Sequence, residues 1–127
     1  MRKHSLRTLP KLKDKAEKIF HKWICLRDNY VCFTCDKTGN QGGHFKHNRL
    51  DFDEMNLNCQ CSGCNHYRSG NLSVYAERLI DKYGVKKFKD LCFRANNQSN
   101  KFSRDELEQI IVKYTSLVQS QYDRTKF

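Results

Sequence analysis

Apolar residues recur at three- and four-residue steps through Leu12, Ala16, Ile19, Phe20, Trp23 and Ile24, which is the period of one helix face. This predicts an amphipathic helix over 11–28. Pro10 stands where a first helical turn tolerates it, so residues 1–10 read as a basic arm. The helical period returns at Leu72, Tyr75, Ala76, Leu79, Ile80 and Tyr83, and Gly84 can close that helix as a left-handed cap. Val85 to Arg94 fits a further short helix, and Ala95 to Lys101, rich in Asn, reads as a polar loop. Ser103 and Glu106 form a capping box ahead of Leu107, Ile110, Ile111, Tyr114, Leu117 and Val118. Between 28 and 61 the period fails. Gly39, Gly42, Gly43 and short β-compatible pieces such as 43–46 predict a compact hairpin there. The expected fold is α+β and mostly helical, a single domain over 1–127 with a central core at 29–70 and a helical part at 71–127.

Composition changes the picture in two ways. Hydrophobic residues make up 38% and charged residues 30% of the 127, so burial alone leaves little stability and a structural metal would compensate. The net charge is +10, from 24 Lys and Arg against 14 acidic residues, which favours a polyanionic partner through counterion release. Lys11, Lys15, Lys18 and Lys22 share one face of the first helix at 100° per residue and could track a phosphate backbone, although an exposed lysine face can also be simple solvation. No run is apolar enough to span a bilayer and no signal-peptide core follows Met1, so no membrane partner is expected and the chain reads as cytoplasmic.

Seven cysteines are an odd number for a disulfide framework, and metal ligation uses them better. Cys32-Phe33-Thr34-Cys35 and Cys61-Ser62-Gly63-Cys64 are two C-x-x-C pairs suited to one tetrahedral Zn²⁺. Structural zinc contributes on the order of 10 kcal/mol to folding in small domains. Cys61 is preferred over Cys59 because it repeats the knuckle spacing, and Cys59 is left open. Cys25 and Cys92 lie on apolar helix faces and read as core.

His44 lies between the knuckles, Asn56 five residues before Cys61, and Asn65 directly after Cys64. The order Cys-x-x-Cys, His, Asn, Cys-x-x-Cys-Asn resembles the HNH endonucleases, whose core is a zinc-bound ββα-metal (treble-clef) unit. Gln41-Gly42-Gly43-His44-Phe45, Asn56, Cys61 to Asn65 and Ser69-Gly70-Asn71-Leu72 are similar to the NinG/Rap recombination endonucleases of phages. The resemblance spans about residues 12 to 92. It implies His44 as general base, Asn56 as the residue that ties down the His-bearing loop, and Asn65 as a ligand of one catalytic Mg²⁺ or Mn²⁺. Many HNH enzymes carry a metal-binding Asp directly before the catalytic His, where this chain has Gly43. Asp51, Asp53, Glu54, His47 and His66 are close enough in sequence to substitute, and Glu54 and His66 are favoured. His47 and His66 suit DNA contact equally well, whereas His4 and His21 read as surface or hydrogen-bonding residues. Lys46, Arg49 and Arg68 flank the expected site and could hold phosphate.

By this resemblance the substrates would be branched or duplex DNA, such as Holliday junctions and displacement loops, in the host bacterial cytosol if the protein is phage-encoded. Symmetric cleavage of a junction would call for a homodimer. Two other readings keep the zinc and the charge: a nucleic-acid-binding module that does not cut, and a protein-contact adaptor, which leaves His44, Asn56 and Asn65 without purpose.

Overall fold

A computed structural model describes residues 8–125. The expected arm therefore lies mostly outside the described residues, as does His4. The first helix, α1 (Leu9–Arg27), begins two residues before the expected start, because Pro10 occupies its first turn and Thr8 is extended at the N-cap. Two short strands follow, β1 (Gln41–His44) and β2 (Leu57–Gln60), paired antiparallel with Gln41 opposite Gln60 and His44 opposite Leu57. A single π turn (Gly63–Tyr67) leads to α2 (Leu72–Tyr83), α3 (Val85–Asn97) and α4 (Arg104–Thr125). The expected order of helix, hairpin and helices is the observed one.

Two further boundaries differ from the sequence reading. The strand covers 41–44 rather than 43–46, since Phe45 leaves it to pack in the core on Tyr75 and Phe88, with ring centroids at 5.4 and 5.6 Å. The expected loop from Ala95 begins as helix: Ala95 is buried against Leu91 and Leu79, and the Asn97 side chain caps onto the Phe93 carbonyl at 2.7 Å. The capping box before α4 is made as expected. Ser103 N donates to Glu106 Oε1 at 2.8 Å, and Glu106 N donates to Ser103 Oγ at 3.1 Å. Among the described residues no helix is long and apolar enough to cross a membrane.

The hairpin lies between two helical layers. On one side Phe20 and Ile24 of α1 pack with Leu57 and with Tyr114 of α4, and Leu12 and Ala16 pack on Leu107. On the other side Tyr75 and Leu79 of α2, with Leu91 and Ala95 of α3, enclose Phe45 and Leu50. All four residues of β2 are therefore buried, so its polar members need internal partners. Asn58 donates to Met55 O and Tyr75 Oη and accepts from Arg27. Gln60 Nε2 donates to Thr34 Oγ1 and Gly70 O.

Both strand glycines are required by close approach. A Cβ on Gly42 would lie 2.8 Å from the His21 ring of α1, and one on Gly43 would lie 1.8 Å from Gln60 Oε1. On Gly43 the obstruction is a fully buried glutamine held by two hydrogen bonds, so the strand cannot relax cheaply. Gly43→Ala should lower unfolding free energy by about 1–3 kcal/mol, the usual cost of overpacking, and Gly43→Ala with Gln60→Ala should recover part of it. Denaturant titrations check this, and a neutral Gly43→Ala would contradict the packing described.

Candidate metal centre and the histidine site

The first knuckle is a tight loop closed by a bridge between Val31 and Thr38. Its backbone returns on itself through Asp36 N to Cys32 O at 2.9 Å, and Phe33 N joins it to β2 by donating to Cys59 O at 2.7 Å. The second knuckle opens the π turn, where Cys64 N donates to Cys61 Sγ at 3.4 Å. Together they bring the sulfurs of Cys32, Cys35, Cys61 and Cys64 within 4.8 Å of one another. Four thiolates that close fit a tetrahedral soft ion such as Zn²⁺. Thr34, Arg68 and Asn71 place donors beside the sulfurs of Cys32 and Cys64 at 3.4 to 3.7 Å, the outer hydrogen bonds that stabilise bound thiolate.

Cys59 is settled by strand alternation. It sits on the α1 side of β2, fully buried, with its thiol against that of Cys25 and outside the four-sulfur cluster. Burial and the thiol pairing push the Cys59 pKa far above its ordinary value. Cys25 is core, as expected, and Cys92 is half-buried.

His44 closes β1 on the face toward α1. Its Nε2 is 3.1 Å from Asp51 Oδ1, and the other Asp51 oxygen takes Lys13 Nζ of α1 at 2.8 Å. Burial alone would raise the Asp51 carboxyl, but the hydrogen bond to His44 and the Lys13 ammonium outweigh it and hold its pKa far below the usual range. An ionised carboxylate only accepts, so Nε2 carries a proton, and in the neutral imidazole Nδ1 is the nitrogen with the free lone pair. Among the described residues no hydrogen bond reaches Nδ1, and the side chain is 18% exposed.

Asn56 is fully buried and clamps the loop that follows. Its Oδ1 accepts from Lys46 N at 2.8 Å, and its Nδ2 donates to the carbonyls of Lys46, Arg49 and Leu50. Two more histidines surround His44: His21 from α1, edge-on at 6.2 Å, and His47, stacked at 6.3 Å. Burial, with His44 nearby, lowers the His21 pKa to about 4 against the pull of Asp51. Glu17, one helical turn before His21, is raised chiefly by burial. No motif singles out Lys13, and His21, expected as a surface or hydrogen-bonding residue, instead packs its ring on Gly42 with Nε2 buried and unpartnered among the described residues, because α1 crosses the hairpin there. Asp51 was weighed only as a metal ligand.

The residues proposed for a catalytic divalent ion do not converge. Asn65 lies on the π turn and donates to Gln41 Oε1 at 2.9 Å, on the strand face opposite His44. Glu54 is held by α4 instead, accepting from Tyr114 Oη at 2.7 Å. His66 is exposed. Asp53 is structural, capping Met55 and Asn56 and pairing with Arg94. Where HNH enzymes carry Asp, the Gln60 amide fills the space beside Gly43. Among the described residues the four cysteines are the only group of three or more Cys, His or carboxylate side chains close enough to share an ion. A hard ion wants carboxylate oxygens, and this donor set does not fit one.

The basic residues divide between two surfaces. Lys11, Lys15, Lys18 and Lys22 are exposed, with Lys22 over the Tyr122 ring of α4 at 5.2 Å. At 100° per residue the centre of that row stands roughly 90° around α1 from His21 and roughly 130° from Glu17, so it does not line the His44 site. Arg49 and Arg68 are exposed and Lys46 half-buried, and these three belong to the loop and the turn that border it.

The family model for bacteriophage lambda NinG protein matches residues 1–123. The chain belongs to the NinG family. The match extends beyond the 12–92 expected and takes in the last helix. The relatives include protein ninG of Escherichia phage 933W, 28% identical over 79% of this chain and 53% of its own length. Protein ninG of Salmonella phage P22 and that of Escherichia phage lambda are each 26% identical, over 79% of this chain and 52% of their own. This NinG-family chain thus spans about half the length of the curated relatives it matches. No solved structure matches it.

Two predictions follow from the geometry. Cys61→Ser should lose zinc, measured by metal analysis and by loss of cooperative unfolding, while Cys59→Ser should keep one zinc per chain; the reverse pattern would overturn the ligand set. The second concerns His21, whose folded pKa of about 4 lies below the roughly 6.5 of an unfolded histidine. As pH falls the unfolded chain binds the proton first. The stability due to neutral His21 is therefore complete above about pH 6.5 and is lost toward pH 4, on the order of 3 kcal/mol over that window. His21→Gln should show a flatter fall in unfolding free energy from pH 7 to 4.5 than wild type, and parallel curves would count against it.

Proposed function

We propose that this protein is an HNH-type DNA endonuclease acting on branched recombination intermediates, with the zinc knuckles and hairpin forming a ββα-metal core. The observation that carries the reading is the pairing of His44 with Asp51. An ionised carboxylate on Nε2 fixes the tautomer of the neutral imidazole and leaves Nδ1 as its base, with the loop behind it clamped by Asn56. This is the base and orienter relationship of activated-water chemistry. Nδ1 takes a proton from water as the water oxygen bonds to phosphorus and the P–O3′ bond breaks. Lys46, Arg49 and Arg68 stand where they can hold the phosphate.

A specific observation favours a second reading, that of a zinc-dependent nucleic-acid-binding module that does not cut. Both oxygens of Asp51 are committed, and Gln60 fills the place of the missing Asp.

The zinc-loaded protein should be incubated with labelled four-way junction, flap and linear duplex, with Mg²⁺, with Mn²⁺ and without either. Wild type should cut the branched substrates. His44→Ala should cut at least about 100-fold more slowly, the scale of general-base loss, with binding intact, and Asp51→Asn should shift the pH–rate profile. Cleavage unaffected by His44→Ala removes the nuclease assignment, and binding without cleavage under every cation establishes the second reading.

A further inference from the structure

The chain that follows Cys64 is closed on itself by four backbone hydrogen bonds. Arg68 N donates to Gly63 O, Ser69 N to His66 O, Gly70 N to Cys64 O and Asn71 N to Arg68 O, at 2.8 to 3.2 Å. Ser69 and Asn71 adopt left-handed φ of 50° and 51° on either side of Gly70 at 93°, a conformation that costs energy in residues other than glycine and persists only where the surroundings impose it. The turn is anchored to the metal cluster through Cys64.

On this turn Tyr67 is 88% exposed, more than any other large apolar side chain described. Its neighbours His66 and Arg68 are exposed as well. His47 Nε2 stands 3.5 Å from where a Cβ on Gly70 would be, and His47 stacks toward His44. The turn therefore reaches the His44 site through His47, which lies between Gly70 and the His44 ring. A scattered exposed aromatic needs no explanation, but here the ring is carried on a rigid turn, between cationic or titratable side chains, beside the proposed site.

We propose that Tyr67 is a base-stacking platform through which the protein distinguishes branched DNA from linear duplex, an inference that rests on the DNA reading above. In a linear duplex each base face is covered by its neighbour. At a branch point a terminal or unpaired base leaves a face open, and an aromatic ring can cover it without reading sequence. Because the turn is already ordered, little conformational entropy is lost on contact. His66 and Arg68 meet the phosphates on either side of the stacked base.

The test measures binding, not cleavage, and uses the full chain carrying His44→Ala, zinc-loaded and free of chelator. A four-way junction with 2-aminopurine at its branch point and a linear duplex with the same base inside the helix are titrated in parallel. The parent should bind the junction more tightly and quench its fluorescence. Tyr67→Ala should weaken junction binding about tenfold and abolish the quench, with less than a twofold effect on the duplex, while Tyr67→Phe keeps both. An equal loss on both DNAs, no loss on either, or no junction preference in the parent overturns the proposal. If the protein binds and does not cut, the stacking result still stands or falls by itself.

Discussion

Four sulfur atoms within 4.8 Å of one another form the constraint on which the arrangement of this protein depends. Thiols at that spacing gain little from one another, and a shared cation turns the crowding into a large favourable term. The cluster joins two stretches that are far apart in sequence: the loop after α1 and the junction of β2 with the π turn. With the junction in place, Phe33 meets the β2 backbone, Thr34 meets Gln60, and the turn carrying Asn65 and Tyr67 is tied back to Cys61 and Cys64 by Asn65 N and Gly70 N. The modest apolar content would hold these polar segments poorly by burial alone.

The hairpin in turn decides how the chemistry is arranged. Helices cover it on both sides, so β2 is buried throughout and its amides are tied to Tyr75, Arg27, Thr34 and Gly70. Gly42 admits α1 close enough for His21 to lie on the strand, and Gly43 admits the Gln60 amide. The first approach delivers Lys13 to Asp51 and so holds the carboxylate that orients His44. The second fills the position at which the HNH resemblance would put a metal-binding Asp. The same two glycines thus build the histidine site and take away a partner that the HNH resemblance implies.

Much of this was legible in the sequence where the physics is local. Period and capping located α1, α2 and α4, because an amphipathic face and a Ser-Glu box are properties of neighbouring residues. The paired C-x-x-C spacing singled out Cys32, Cys35, Cys61 and Cys64, because each knuckle is a four-residue turn. The hairpin was legible from its glycines, but its register was not: a strand buried on both faces shows no alternation to read.

The sequence by itself determined which elements form, where the thiolates gather and how strongly basic the surface is. Tertiary structure alone decided what each titratable group faces. Asp51 became the partner of His44 because Asn56 and Asn100 hold the loop that carries it and α1 brings Lys13 to its other oxygen. Glu54 went to Tyr114 because α4 folds back over 60 residues later in the chain. Cys59 turned from the four-sulfur cluster because alternate strand residues face opposite sides. Such pairings depend on contacts between distant segments, whose geometry is set by packing of the whole core and is not encoded in the spacing of any one motif.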